Sequence, residues 1–317
     1  FVPLALPPGE ILRGSIMGLK STTIICATAL FASACATASS PPPIAATIAA
    51  CDNAQKAAAA DESYPQSADD YMDMLECLGN GDPDIRDGFA FERLTDALRN
   101  RMPGADTRRA VGARLMENLQ GDGDAEGFLK PFSVLVLSEV ARTDRIDPYL
   151  TAAERSNMVR IGTDYLQSVR DYRGFETDVG WRHGVAHAGD LMLQLAVNEQ
   201  LDKSDGEKIF DALASQVLPA NNHSYIFGES RRLARPVLFL ALNGHLPAAG
   251  WTEWFAQFKA NETDPKWQNP YMSLEGLASL HNTRQFASAI LIWAGESDDE
   301  KLKPLADEAK AVMASLP

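Results

Sequence analysis

Three polar residues at helical spacing form the densest chemistry in this chain. They are His183, His187 and Asp190, in the run Trp181-Arg182-His183-Gly184-Val185-Ala186-His187-Ala188-Gly189-Asp190. Imidazole titrates nearest to neutral pH and can take or give a proton, and two imidazoles with a carboxylate are also a metal-ligand set. On a helix turning about 100° per residue, His183 at zero puts His187 at about 40° and Asp190 at about −20°. All three then share one face, while Trp181, Val185, Ala188 and Met192 gather on the opposite side. The expected helix has an apolar back and a polar front.

Two mechanisms fit that strip. A divalent metal, zinc or calcium, held by His183, His187 and Asp190 would leave an open position for water and acidify it toward hydroxide. Without metal, His183 or His187 would serve as general acid/base with Asp190 fixing its tautomer. Glu229 downstream, and Glu176 and Asp178 just ahead of the helix, are added carboxylates, and His223 in Asn221-Asn222-His223 could fold back as a fourth contact. The competing reading is architectural: polar groups on a central helix bond its neighbours, and Asp190 would pair with an arginine such as Arg232.

Several other signals are weaker. The His-x-x-x-His spacing lacks the glutamate that a zinc protease carries beside its first histidine, since Gly184 stands there. Gly228-Glu229-Ser230-Arg231-Arg232 lacks the last glycine of a nucleophile elbow and follows no strand. The loop Gly121-Asp122-Gly123-Asp124 lacks the remaining ligands of a calcium loop and reads as a solvated turn. His245 and His281 are isolated and read as surface or capping groups.

The elements that must position the strip are helical. Apolar residues recur at three- and four-residue steps from about Ser67, with almost no alternating runs. Asp82-Pro83 supplies a cap and first-turn proline for a helix carrying Ile85, Phe89, Leu94 and Leu98. Further helices are predicted over 107–119, 128–142, 152–172, 180–198, 204–218, 229–242, 252–259, 274–295 and 298–315. Short connections rich in Gly, Pro, Asn and Asp make neighbours antiparallel hairpins. The fold class expected is all-α, an irregular α-α superhelix of antiparallel hairpins, HEAT-like, without a fixed repeat period.

Four segments are expected: 1–16 as a non-native upstream extension, 17–35 as a signal peptide, 36–66 as an Ala/Ser/Pro-rich tether and 67–317 as the helical domain. Met17, Lys20, the apolar stretch 24–34 and Ala32-Ser33-Ala34-Cys35 have the order of an export signal, and the apolar stretch is too short to span a bilayer. Cys35 sits where a lipid-modified cysteine would, which could tether the protein to the outer membrane; simple cleavage is the alternative. Export to the periplasm would leave Cys51 and Cys77 as a pair able to form a disulfide, or as two unrelated small side chains. The 317 residues carry 45% apolar side chains, enough for a substantial core, and a net charge of −14 that repels phosphate backbones and anionic headgroups. Nucleic acid is not an expected partner; a small-molecule substrate or an envelope protein is.

The stretch Tyr172-Arg173-Gly174-Phe175, followed by 180–190, resembles the signature of a bacterial family, domain of unknown function 2785. Asp82-Pro83-Asp84-Ile85-Arg86-Asp87, the run 131–137, Glu229 with Arg232-Leu233-Ala234, and Asn282 with Phe286 are similar to its other segments, from about Met74 to Ala294. The chain departs from the pattern at Ala188-Gly189, whose order is swapped, and at Arg182 and Gly184. The resemblance implies a helical, superhelix-like fold and no established activity. The function expected from the residues is a periplasmic hydrolase acting on a small ester, lactone or sugar-derived substrate. The alternative is a non-enzymatic envelope superhelix that binds a protein or ligand in its groove.

Overall fold

The computed structural model describes residues 44–101, 103–245 and 248–317. The expected leader 17–35 with Cys35, and the run 1–16, lie outside them. Most of the segment expected as a tether is instead a helix, α1 (Ile44–Ala60). Alanine has the highest helix propensity, and here the alanine-rich stretch gains partners as well. Cys51, Ala54 and Ala58 are buried, and Cys51 forms a disulfide with Cys77, 26 residues on.

Ser67 begins α2 (Ala68–Leu75) with a capping box: its side chain accepts from the Asp70 N–H while Asp70 accepts from the Ser67 N–H. The turn Glu76–Gly79 carries Cys77. The helix expected from Asp82-Pro83 is present but widened, since Asp84–Phe91 and Ala97–Arg101 wind as π-helix on either side of α3 (Glu92–Asp96). This element buries Arg86 completely.

The main body follows as α4 (Ala105–Gln120), α5 (Leu129–Ile146), α6 (Ala152–Ser168), α7 (Gly184–Val197), α8 (Lys203–Val217), α9 (Glu229–Leu242), α10 (Ala248–Ala256), α11 (Pro265–Gln268), α12 (Leu274–Gly295) and α13 (Lys303–Ser315). Helices pack in two layers. One layer runs α5, α7, α9, α12, and the other runs α4, α6, α8, with α4 on α5 and α6 on α7 joining them. The described chain is all-α, as its apolar periodicity requires. The exception is a two-strand hairpin, β1 (Phe175–Glu176) paired antiparallel with β2 (Gly180–Trp181), in the connection from α6 to α7. No described helix is long and apolar enough to cross a membrane.

Because α7 lies between α5 and α9 and against α6, every residue from Gly184 to Ala196 is buried. The expected division into polar front and apolar back does not hold, for there is no solvent face. Trp181 is not on this helix at all; it belongs to β2. Close approach is achieved with small residues. A Cβ on Gly189 would meet the Arg232 carbonyl oxygen at 3.0 Å. Pro236, four residues beyond Arg232 in α9, has no N–H to give that carbonyl its usual helical bond.

The disulfide closes a loop that holds α1 on the body. Chain-entropy arguments give a loop of this length about 3 kcal/mol. Reduction, or Cys51→Ala with Cys77→Ala, is therefore expected to lower the thermal midpoint by several degrees and to expose 44–60 to protease first. Unchanged midpoint and unchanged cleavage on reduction would show that packing alone holds α1.

Candidate functional site

The connections α4 to α5, α6 to α7 and α8 to α9 meet at one end of the two layers, where α7 and α9 begin. The longest of them, 169–183, is bound in place at several points. Arg86 donates to the Val179, Asn80 and Gly81 carbonyls and pairs with Asp87, and its guanidinium carbon stands 3.9 Å from the Phe128 ring centroid. Arg182 covers the same ring at 4.2 Å, donates to the Glu126 carbonyl at 2.7 Å and pairs with Glu176. The backbone of Arg182 and His183 continues the hairpin by donating to Gly174 and Arg173 carbonyls.

His183 then reverses the chain. Its φ of 58° and ψ of 36° are left-handed, a region that asparagine, aspartate and histidine tolerate better than most residues. It is the cap of α7 and not its first turn, and its carbonyl accepts from the His187 N–H at 3.0 Å. The helical wheel drawn from His183 therefore does not apply, but proximity survives: the two imidazole centroids are 5.6 Å apart, nearly edge to face. Trp181 stacks on His183 at 4.7 Å with 26° between planes, and Phe132 meets His187 edge-on at 5.6 Å.

Asp190 leaves this group. It pairs with Arg232 across α7 and α9, which is the architectural alternative open to it in the sequence. Among the described residues no three His, Cys, Asp or Glu side chains gather as a metal-ligand set, so His183, His187 and Asp190 do not converge on one point. What His183 does meet is Glu229, the first residue of α9. Nε2 stands 3.6 Å from Oε1, while Oε2 accepts from the Phe227 N–H at 2.9 Å. Glu176 is occupied by Arg182. Asp178 is exposed at the hairpin turn. His223 stacks on Tyr172 at 5.0 Å with 19° between planes, at the rim of the site and away from His183. The Gly121–Asp124 loop is a turn as expected: Asp124 accepts from the N–H groups of Glu126, Gly127 and Leu129, ahead of α5.

The electrostatics divide the four predicted residues. Burial pushes His183 down to about 4, with Arg232 acting in the same sense, and the Phe227 backbone opposes. Burial pushes His187 well below the usual imidazole range, helped by His183 and Arg232, while its bond to the Pro131 carbonyl opposes. Both rings are neutral at physiological pH. That Nδ1 contact with the Pro131 carbonyl, at 3.1 Å, makes Nδ1 the protonated nitrogen of His187. Its Nε2 is buried without a hydrogen bond, and neither ring nitrogen of His183 has one of ordinary geometry, the Phe227 backbone offering only a weak contact. Burial raises Asp190 to about 6, against Arg232 and Arg235, so it is ionised at neutral pH. Burial also raises Glu229, opposed by the Phe227 N–H and Arg232.

His183 and Glu229 line a closed pocket with Asp171, Tyr172, Arg173 and Tyr225, too tight for a water molecule as it stands. Beside it, sharing Tyr172 and Arg173, lies an open cleft of about 410 Å³ walled also by Phe175, Asn221, His223 and Phe227. Phe227 lines the cleft with its ring centroid 6.4 Å from that of His183, and the ring lies so close to Gly174 that a Cβ there would be 2.0 Å from it. The sequence reading missed Tyr172, Arg173 and Phe227 as site residues. Tyr172-Arg173-Gly174-Phe175 was visible as a motif, but the reason for its glycine lies 53 residues further on, in Phe227.

The buried neutral histidines carry a pH signature. The unfolded chain protonates near pH 6.5 and the folded one only well below it, so their stability contribution is present above about pH 6.5 and is lost as pH falls. Asp190, raised in the fold, acts oppositely and is common to wild type and a His187 variant. His187→Asn keeps a donor for the Pro131 carbonyl and removes the titration. Between about pH 6.5 and 4.5 its unfolding free energy is expected to fall less steeply than that of the wild type, by up to about 1.4 kcal/mol per pH unit. Parallel profiles would show that His187 is protonated in the fold.

A family model described as protein of unknown function (DUF2785) matches residues 115–292. No curated protein and no solved structure matches the chain. The matched span runs from within α4 to within α12 and includes His183, His187, Asp190 and Glu229. The chain is a member of the DUF2785 family.

Proposed function

We propose that the protein is a hydrolase of small ester, lactone or sugar-derived substrates, with His183 as general base and Glu229 as its partner. The observation that carries this reading is the state of His183: a buried, neutral imidazole on a left-handed backbone, with neither nitrogen in a hydrogen bond of ordinary geometry and a buried carboxylate oxygen 3.6 Å away. An unmet buried donor or acceptor costs about 1–3 kcal/mol, and such costs concentrate where a group is kept for chemistry. The buried Asp144, by contrast, accepts from the Tyr149 and Leu150 N–H groups, Arg155 and Asn198.

In the reaction, Glu229 accepts a hydrogen bond from the Nε2–H of His183, and Nδ1 is the basic nitrogen. Catalytic hydrogen bonds are often long in the empty enzyme and tighten around substrate. Water gives its proton to Nδ1 as its oxygen bonds the substrate carbon. The leaving oxygen departs with the carbon–oxygen bond's electron pair and takes the proton back from the imidazolium. Asp190 has no part in this, being held by Arg232. The metal-assisted form expected from the sequence loses its third ligand for the same reason.

Placement in the bacterial envelope is part of the proposal. The Cys51–Cys77 disulfide supports it, since such bonds persist in oxidising compartments, as does the export-like order of residues 17–35. The binding-only alternative draws support from one feature: the pocket around His183 has no room for water, while the neighbouring cleft is open.

The test is hydrolysis of a panel of p-nitrophenyl esters and glycosides. Glu229→Gln and His183→Asn are expected to lower kcat/KM by about 100-fold or more with the fold retained by circular dichroism. Dialysis against a chelator is expected to leave the rate unchanged. Wild-type turnover in both variants would remove His183 and Glu229 from catalysis, and chelator sensitivity would restore a metal.

A further inference from the structure

The open cleft beside the His183 pocket has a composition that points to one class of ligand. Its walls offer flat aromatic surface: the Tyr172 ring backed by His223, and Phe175, which is 46% exposed and leans on Trp181 at 5.2 Å. Between them stand planar hydrogen-bonding groups, on Asn221 at one side and Arg173 at the other. The charges are compensated before any ligand arrives. Arg173 pairs with Asp171, and Glu176 pairs with Arg182. An ionic ligand would have to break one of these pairs, so the cleft suits a neutral one.

A ligand that is neutral, carries C–H faces for aromatic rings and presents hydroxyls at its edges is a sugar ring. Apolar area favours the aromatic walls, and fixed amide and guanidinium groups supply direction. A flat aromatic ligand would satisfy the rings and leave Asn221 and Arg173 without use. At about 410 Å³ the cleft lies within the range of small-molecule sites.

The wall is also held rigid. Asn282, 1% exposed on α12, donates to the His223 carbonyl at 2.8 Å and accepts from the Tyr225 N–H at 2.9 Å. His281 meets the Tyr225 carbonyl at 2.8 Å. The Ala220 N–H donates to the Tyr172 hydroxyl, tying the two sides of the cleft together. A preformed wall spends less on ordering when the ligand binds.

We infer that this cleft is a subsite for an uncharged pyranose unit, which the Tyr172/His223 pair and Phe175 hold by stacking, with the scissile bond directed past Phe227 toward His183. The inference rests on the reading of His183 and Glu229 as the reacting pair, since it names the group brought to them.

Titration calorimetry on the full chain tests it, with methyl β-D-glucopyranoside, methyl β-D-galactopyranoside and methyl N-acetyl-β-D-glucosaminide as probes, and glucose 6-phosphate and indole as charged and flat-aromatic controls. At least one neutral glycoside is expected to bind, more tightly than either control. Phe175→Ala and His223→Ala, both at the cleft rim, are expected to weaken it about tenfold each with unchanged thermal midpoints. Absence of glycoside binding, tighter binding of a control, or binding that both variants leave intact would overturn the subsite. Glu229→Gln separates the two readings. Retained binding with lost turnover supports both. Retained binding with full turnover sinks the reacting pair, and with it the directing of the scissile bond toward His183. Ester hydrolysis that needs Glu229 but shows no glycoside binding sinks the subsite alone.

Discussion

The Phe128 ring, held between two guanidinium groups, is the constraint on which the site depends. Arg86 comes from the widened helix before α4, and Arg182 comes from the end of the hairpin before α7; each covers the ring at about 4 Å from its centroid. A buried guanidinium is costly unless its donors are met. Backbone carbonyls of the loops that must be fixed take the Arg86 Nη atoms and the Arg182 Nε, while Asp87 takes the Arg86 Nε and Glu176 ion-pairs with the Arg182 Nη1. Arg86 takes Val179, Asn80 and Gly81, and Arg182 takes Glu126. Three connections far apart in sequence thus share one aromatic ring. The position of His183 follows, because the chain leaves Arg182 with no freedom to start α7 elsewhere.

Once His183 caps α7, the chemistry of both imidazoles is set by burial. α7 has helices on every side, so neither ring reaches water, and neither takes a proton at neutral pH. Glu229 enters because α9 begins beside α7, with its carboxylate in the first turn, where the helix dipole favours negative charge. The same dipole at the start of α7 disfavours an imidazolium at His183. Asp190 sits two turns deeper and answers to Arg232. One strip of sequence therefore divides into a reactive end and an architectural end.

Much of this was legible in the sequence, for reasons that differ by element. The amphipathic segments α8 and α9 announced themselves by period and lie within a residue or two of expectation; α12 does too, although its apolar residues are spread around the helix. Glu229 and the histidine pair were visible by type. The start of α7 was not, because a left-handed histidine leaves no local signal where Gly180 and Trp181 can be read as helix. α1 was hidden because an alanine-rich stretch reads equally as tether and helix until a disulfide partner and a packing surface are known. The cleft was invisible, since Tyr172 and His223 meet across 51 residues, and no periodicity encodes that encounter.

The small residues around the strip show how tightly the arrangement is constrained. At Gly184, where a zinc protease would carry its base, a Cβ would stand 2.9 Å from the Tyr165 hydroxyl, so a glutamate has no room. At Gly189, a Cβ would press on the backbone of Arg232, moving the cation that neutralises Asp190. At Gly174, it would collide with Phe227, a side chain of the cleft wall. Each glycine costs up to about 1 kcal/mol where it interrupts a helix. Two of the three lie in α7 and still persist, because a larger residue would press on Tyr165 at position 184 and on Arg232, the partner of Asp190, at position 189. Glycine at position 189 is then a requirement of this chain's own α9, whose Arg232 backbone leaves no room for a Cβ there.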